Sequence, residues 1–348
     1  MVTPIYVGLE DAVPLPAIAT TTVGSFPRPG WLGTFHDRSD VDFVLGGESL
    51  REAQDDATVV VLKLQEEAGL DLLTDGEQRR PNFIYHVLSA MDGFDLADRR
   101  PKLIRRRSNR LVPRVVGHVQ RRASALADDV RFARAHTTRL LKMAVPGPMT
   151  VVDSTYDDAY GDEEPLAMDV AAALNAELLD LQAAGCDVVQ IDEPAMTRYH
   201  EKAAAYGARA LDRCLEGLTI PSIVHLCYGY PGAATRQQYE YEYPELLALL
   251  METRIRGFSL EFARSGYDPM LLRTCGDRLV MYGCVDPGEA PPEALEVVVG
   301  RVQAALQYVD PDRLLLAPDC GLMTISRELA RAKTALLVAV ARAVRAGL

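Results

Sequence analysis

The 348-residue chain predicts an α/β fold, a closed (β/α)₈ TIM barrel, on three observations. Short apolar runs of strand length recur along it, a segment with helical spacing separates each from the next, and eight such units can be counted. Strands that alternate with helices pair in parallel, and eight units in succession favour closure over an open sheet. Composition agrees, with 48% hydrophobic and 25% charged residues, ample apolar material for a large core. No composition shift marks a boundary, so residues 1–348 read as a single barrel domain.

Residues 1–19, rich in Pro and Ala, read as an irregular lead-in. Thr20–Phe26 is the first strand, ending in a Gly24-Ser25 turn. A helical stretch from about Ser49 to Ala68 leads to the second strand, Leu70–Glu77, whose Asp75 and Glu77 share a face. Residues from about 93 to 138 break the rhythm with the basic runs Arg99-Arg100 and Arg105-Arg106-Arg107 and an alternating Leu111–His118. They read as a hairpin and helix inserted after the second βα unit. Regularity returns at Lys142–Pro148. Helices near 165–184, 203–216, 243–252, 269–274 and 292–309 then lead to strands within Asp187–Pro194, Pro221–Gly229, Gly257–Ala263, Leu279–Asp286 and Leu314–Gly321, and an amphipathic helix covers 326–346.

Charge and cysteine usage narrow the function. A net charge of -12 gives no reason to expect nucleic acid or an anionic membrane as partner. No apolar run approaches the roughly 18 residues of a membrane span, and Met1–Thr22 lacks the pattern of a signal peptide. Six cysteines dispersed through a long chain imply reduced thiols and a cytoplasmic protein.

In a barrel of this kind the C-terminal strand ends converge on one rim. Here they carry Ser25, Asp75 and Glu77, Asp192 and Glu193, His225 and Cys227, Glu261, Asp286, and Asp319 and Cys320. His225 and Cys227, two apart on an extended strand, point to the same side, which alone is a weak motif. With Glu261 and Cys320 they make one nitrogen, two sulfurs and one oxygen, a set compatible with tetrahedral zinc. Cys186, Cys214, Cys275 and Cys284 read as small core hydrophobes, Cys284 being the alternative to Cys320 because it shares a strand face with Asp286. Glu193 and Asp319 read as solvated rim charges.

These residues resemble a known family. His225-Leu-Cys-Tyr-Gly229, Ser259-Leu-Glu-Phe-Ala263 and Pro318-Asp-Cys-Gly-Leu322 are similar to the zinc-binding segments of the cobalamin-independent methionine synthases. Val23-Gly-Ser-Phe-Pro27, Asp75-Gly-Glu77, Pro146-Gly-Pro-Met-Thr150 and Gln190-Ile-Asp-Glu-Pro-Ala195 resemble its other rim motifs, in the same order, over about residues 20–325. The resemblance implies a zinc-dependent S-methyltransferase with Zn²⁺ held by His225, Cys227, Glu261 and Cys320. It places Gly24, Ser25, Glu77 and Asp192 around the amino-acid end of homocysteine, with Glu77 and Asp192 as the catalytic carboxylates. Zinc would deprotonate the thiol, and methyl transfer would give methionine.

Three departures bear on the methyl donor. The second, N-terminal barrel of full-length members has no counterpart here. The pterin-stacking Trp that follows the Gly-Pro-x-Thr segment is replaced by Val151, and the only Trp is Trp31. The Asp-x-His-Ser motif that supplies an acid to departing folate is here Asp286-Pro-Gly-Glu289. The chain therefore resembles the short, single-barrel members, and the expected donor is a corrinoid, on a protein or otherwise, rather than methyltetrahydrofolate; Tyr156, Tyr160 and Glu289 are the substitutes a folate reaction would require. A second reading is epoxide opening by coenzyme M, since Asp75–Phe83 resembles that branch and its Arg79-Arg80 pair suits a sulfonate. A third is a structural or storage zinc without turnover.

Overall fold

Why eight short strands close into a barrel follows from how their side chains alternate. The computed structural model describes residues 15–35, 40–228 and 242–348, so residues 1–14 of the expected lead-in and Gly229 lie outside the described residues. The strands are β1 (Ala19–Thr20), β2 (Leu72–Leu73), β3 (Leu140–Pro146), β4 (Val188–Asp192), β5 (Ser222–Leu226), β6 (Gly257–Glu261), β7 (Leu279–Val285) and β8 (Leu314–Pro318). All pair in parallel in chain order, β1 pairs β8 through Ala19 and Leu315, and a bridge from Thr21 to Leu72 joins the two ends.

Ala19, Leu72, Val188, Ile223, Leu279, Met281, Leu315 and Ala317 point inward and, with Leu15 and Val23, form an apolar cluster inside the barrel. Their neighbours Leu73, Met143, Val189, Ile191, Val224, Phe258, Val280 and Leu316 point outward into the larger core beneath the helices. Both faces of each strand are buried, which is why the strands read as near-continuous apolar runs. At about 1.5–3 kcal/mol for each large aliphatic side chain buried, this two-sided packing is the main stabilising contribution.

The outer helices occupy the expected stretches, among them Gly47–Ala68, Glu163–Ala183 and Arg327–Arg345. The first ends where Gly69, at φ 90°, donates its N–H to the carbonyls of Gln65 and Glu66, a left-handed cap that favours glycine. Gln65 then reaches β2: its amide accepts from the Thr74 N–H at 3.0 Å and donates to the Thr74 carbonyl at 2.7 Å, holding the chain that enters the next turn. Among the described residues no helix is long and apolar enough to cross a membrane.

The expected insertion resolves into two parts of different status. Its hairpin, Met91–Ile104 against Ser108–Arg121, stands in the connection after β2. Its helix, Ala127–His136, is instead the barrel's own second outer helix, packed against Gly47–Ala68 and Glu163–Ala183. The hairpin's length broke the sequence rhythm and made a regular helix look inserted. The hairpin crosses the C-terminal face: at its tip the Arg105 N–H donates to the Asp153 carboxylate at 3.0 Å, the Arg106 N–H to the Tyr199 hydroxyl at 3.0 Å, and the Arg107 guanidinium to the Tyr228 carbonyl at 3.4 Å.

Candidate metal centre and acidic pocket

The β5–β8 half of the barrel mouth gathers soft donors. Alternation along β5 turns Ile223 and His225 inward, and Cys227 just beyond the strand continues that face. Cys320 follows β8. Ligand atoms of His225, Cys227 and Cys320, all buried, lie within 4.8 Å of one another. The two Sγ atoms are 3.3 Å apart, far beyond a disulfide bond, and both cysteines are free thiols. His225 Nδ1 is 2.8 Å from Ser259 Oγ on β6, while its Nε2 is buried without a hydrogen-bond partner. Burial, then Lys142, pushes the imidazole pKa down to about 3, so the ring is neutral.

A buried imidazole nitrogen with no partner, beside two thiols in contact, fits a soft or borderline cation and costs free energy without one. Glu261, at the end of β6, is buried beside this group, its Oε1 accepting the Tyr228 N–H at 2.8 Å. Burial first, then the adjacent Cys227, raises its pKa well above the ordinary carboxylate value. It is not one of the three residues whose ligand atoms lie within 4.8 Å of one another.

Cys284 sits on β7 with its side chain in the outer core, among the residues that face the helices rather than the barrel interior. Glu193 and Asp319 are not solvated rim charges; both are buried. Glu193 accepts the Met149 and Thr150 N–H groups, each at 2.9 Å, and the Thr150 hydroxyl at 2.7 Å. Its carboxyl fills the place a side chain at Gly147 would take, since a Cβ there would lie 2.2 Å from Glu193 Oε1. Asp319 accepts from the N–H groups of Phe262, Ala263 and Arg264 at 2.9, 3.0 and 2.7 Å, fixing the chain that leaves Glu261.

On the β1–β4 half the groups are hard and ionic. The turn Asp75-Gly76-Glu77 places Gly76 at φ 65° and Glu77 at φ 57°, where the Glu77 N–H donates to Asp75 Oδ1 at 3.0 Å. A left-handed glutamate costs about 1 kcal/mol or more, and here it turns the carboxylate across Gly24, where a Cβ would lie 2.6 Å from Glu77 Oε1. Gly24 is held by Thr74, whose hydroxyl donates to its carbonyl at 2.9 Å, and the Ser25 carbonyl accepts the Leu322 N–H at 2.9 Å, tying this half to the Cys320 loop. Asp192 ends β4, opposite His225 in the β4–β5 register, and accepts from Gln190 Nε2 at 2.7 Å. Desolvation raises the pKa of both Glu77 and Asp192, with a smaller upward push on Glu77 from Asp75 and on Asp192 from Glu77.

The Arg79-Arg80 pair is engaged inside the protein. Arg79 binds Asp129 at 2.8 Å and also Asp55, with its guanidinium 4.3 Å from the Phe132 ring centroid. Arg80, fully buried, donates to the Ala144 carbonyl at 2.7 Å. Sequence reasoning missed Ser259 and Lys142, although each had a signal: Ser259 shares an inward face with Glu261, and Lys142 is the one charged residue of a buried strand.

The barrel mouth thus carries the His225-Cys227-Cys320 cluster, with Asp192 opposite His225 in the strand register. The chain belongs to the family described as cobalamin-independent synthase, catalytic domain, whose model matches residues 18–343, and with it to a class of methyltransferases. Among its relatives are the methionine synthase of Sulfurisphaera tokodaii, 30% identical over 335 residues covering 95% of this chain and 94% of that one, and that of Saccharolobus islandicus (strain Y.G.57.14 / Yellowstone #1), 31% identical over 338 residues covering 95% and 96%. A solved structure, the B12-independent methionine synthase from Shewanella sp. W3-18-1 in complex with selenomethionine, superposes with a TM-score of 0.90 at 35% identity, over 95% of this chain and 98% of that one.

Proposed function

We propose that the protein methylates the thiol of homocysteine to give methionine, and that His225, Cys227 and Cys320, with Glu261 as a fourth ligand, would hold a zinc ion. The observation that carries this reading is the convergence of those three ligand atoms, one of them a buried nitrogen without a partner, with Asp192 opposite His225 in the strand register. Bound zinc would supply the Lewis acid that keeps the substrate thiol deprotonated. The chain's own residues do the rest. Glu77 and Asp192 offer paired negative charge to the α-ammonium, and Ser25 with the backbone at Gly24 faces the α-carboxylate. Asp319 and Ser259 keep Glu261 and His225 in place. The selenomethionine carried by the related Shewanella protein, a close analogue of the product, supports an amino-acid ligand for this chain.

For the donor we infer a leaving group that needs no proton from the protein, a methylated corrinoid rather than methyltetrahydrofolate. Trp31, Tyr156 and Glu289 are exposed, and the Tyr160 hydroxyl donates to Asp169 and accepts the Val119 N–H, so the Tyr160 proton is engaged and the other three are surface groups. The internal partners of Arg79 and Arg80 weigh against a sulfonate-bearing thiol. The test is to incubate the purified zinc protein and homocysteine with methylcobalamin or methyltetrahydrofolate, and separately to supply coenzyme M with an epoxide. Methionine from the methylcobalamin arm is the expected result. Methionine from methyltetrahydrofolate alone overturns the donor, a thioether with coenzyme M alone overturns the acceptor, and no product in any arm favours a structural zinc.

A further inference from the structure

We infer that Lys142 and Gln190 are positioning residues for the amino-acid end of the substrate, forming a relay that fixes the carboxylate of Asp192 and anchors the β1 end carrying Gly24 and Ser25. The inference rests on the homocysteine reading above. Lys142 projects from β3 into the barrel interior and is fully buried. Its ammonium donates to the Val23 carbonyl at 2.9 Å and to Gln190 Oε1, and Gln190 Nε2 donates to Asp192 Oδ1 at 2.7 Å.

Donor and acceptor order is forced along this chain. An ammonium has only donors and a carboxylate only acceptors, so the amide between them can stand only one way round. Reversed, it would set its NH₂ against the ammonium and its oxygen against the carboxylate. Asp192 Oδ1 is thereby fixed, and Asp192 Oδ2 has no hydrogen bond among the described residues; Asp192 is also partly exposed, so Oδ2 is the oxygen left for an ammonium group. The other bond of Lys142, to Val23, holds the residue before Gly24, so one side chain sets both walls of the recess.

The charge has a second effect. Glu77 repels Asp192 and is itself repelled by Asp75, while Lys142 and Arg80 offset both carboxylates and Arg28 also offsets Glu77. Desolvation opposes a charged lysine at this depth and moves its pKa down. Methionine would fill the same space without that penalty, so packing alone does not account for an ammonium here.

The test compares Lys142→Met, Gln190→Met, their double variant, and Gln190→Glu, which keeps the acceptor for Lys142 but loses the donor to Asp192. Zinc content, kcat and KM for homocysteine are measured, and methionine binding is followed by calorimetry independently of turnover. Each single variant should keep its zinc, raise KM and weaken methionine binding about tenfold, and leave kcat nearly unchanged. The double variant should be no worse than the worse single one, as expected of groups acting in series. If Lys142→Met does not fold, the two Gln190 variants carry the test. Variants that bind methionine as the wild type does, or whose effects simply add, overturn the relay alone; a wild-type protein that binds no methionine overturns the relay together with the homocysteine reading.

Discussion

On the β5–β8 side of the mouth, His225 Nε2 has no partner and two thiols press against each other, whereas on the β1–β4 side Lys142, Gln190, Asp192, Asp75 and Arg80 are joined by internal hydrogen bonds and ion pairs. Both halves are buried, so burial is not what separates them. The soft half leaves a buried imidazole nitrogen unsatisfied beside two sulfur donors, a set that a soft or borderline cation would complete. The hard half already offsets much of its own charge, Arg80 against Asp75, and Lys142, through Gln190, against Asp192, and leaves Asp192 Oδ2 as an acceptor without a hydrogen bond among the described residues. Under the proposed function the comparison teaches that one half would hold a metal and the other a substrate by its charges, with the Ser25–Leu322 hydrogen bond tying the two together.

The largest effects should fall on the soft half. Cys227→Ser and Cys320→Ser are each expected to lose zinc and to lower activity about a thousandfold or more, measured by metal analysis and initial rates. Full zinc occupancy with retained activity would erase the distinction between the halves. Asp192→Asn should keep its zinc and raise KM for homocysteine by about thirtyfold, roughly 2 kcal/mol, because an ammonium loses its charged partner. Zinc loss in that variant would mean that the halves are not separable.

A pH series sharpens the hard half. Burial raises the Glu77 pKa, and under the proposed function the ammonium is held by the ionised form, so KM for homocysteine should fall as pH rises through and above the ordinary carboxylate range. A KM that is flat or rising over that range would contradict the role of Glu77. Asp319→Ala strands the N–H groups of Phe262, Ala263 and Arg264 and should lower stability by about 3 kcal/mol, seen as a fall in Tm. Cys284→Ala should have the smallest effect, about 1 kcal/mol in stability with zinc unchanged; loss of zinc there would return Cys284 to the ligand set.

Much of this was legible in the sequence because strand parity decides which way a side chain points. His225 and Cys227 share a face by count alone, and Cys284 falls on the opposite, outward face of β7 once the register is fixed by Leu279 and Met281. Two things resisted. Glu193 and Asp319 read as solvated because most of the partners that satisfy them are backbone N–H groups, of the helix start at Met149 and Thr150 and of the chain after Glu261, and main-chain donors leave no mark in a side-chain sequence. The helix Ala127–His136 was misread because the hairpin before it is long enough to interrupt the alternation on which the count depends.

The most direct test of the metal claim is X-ray absorption at the zinc edge, recorded on the purified protein before and after homocysteine is added. The predicted shell contains one imidazole nitrogen and two thiolate sulfurs from His225, Cys227 and Cys320 with a carboxylate oxygen, and homocysteine replaces that oxygen with a further sulfur. A protein that binds no zinc, or a sulfur count that does not change when homocysteine is added, would contradict it.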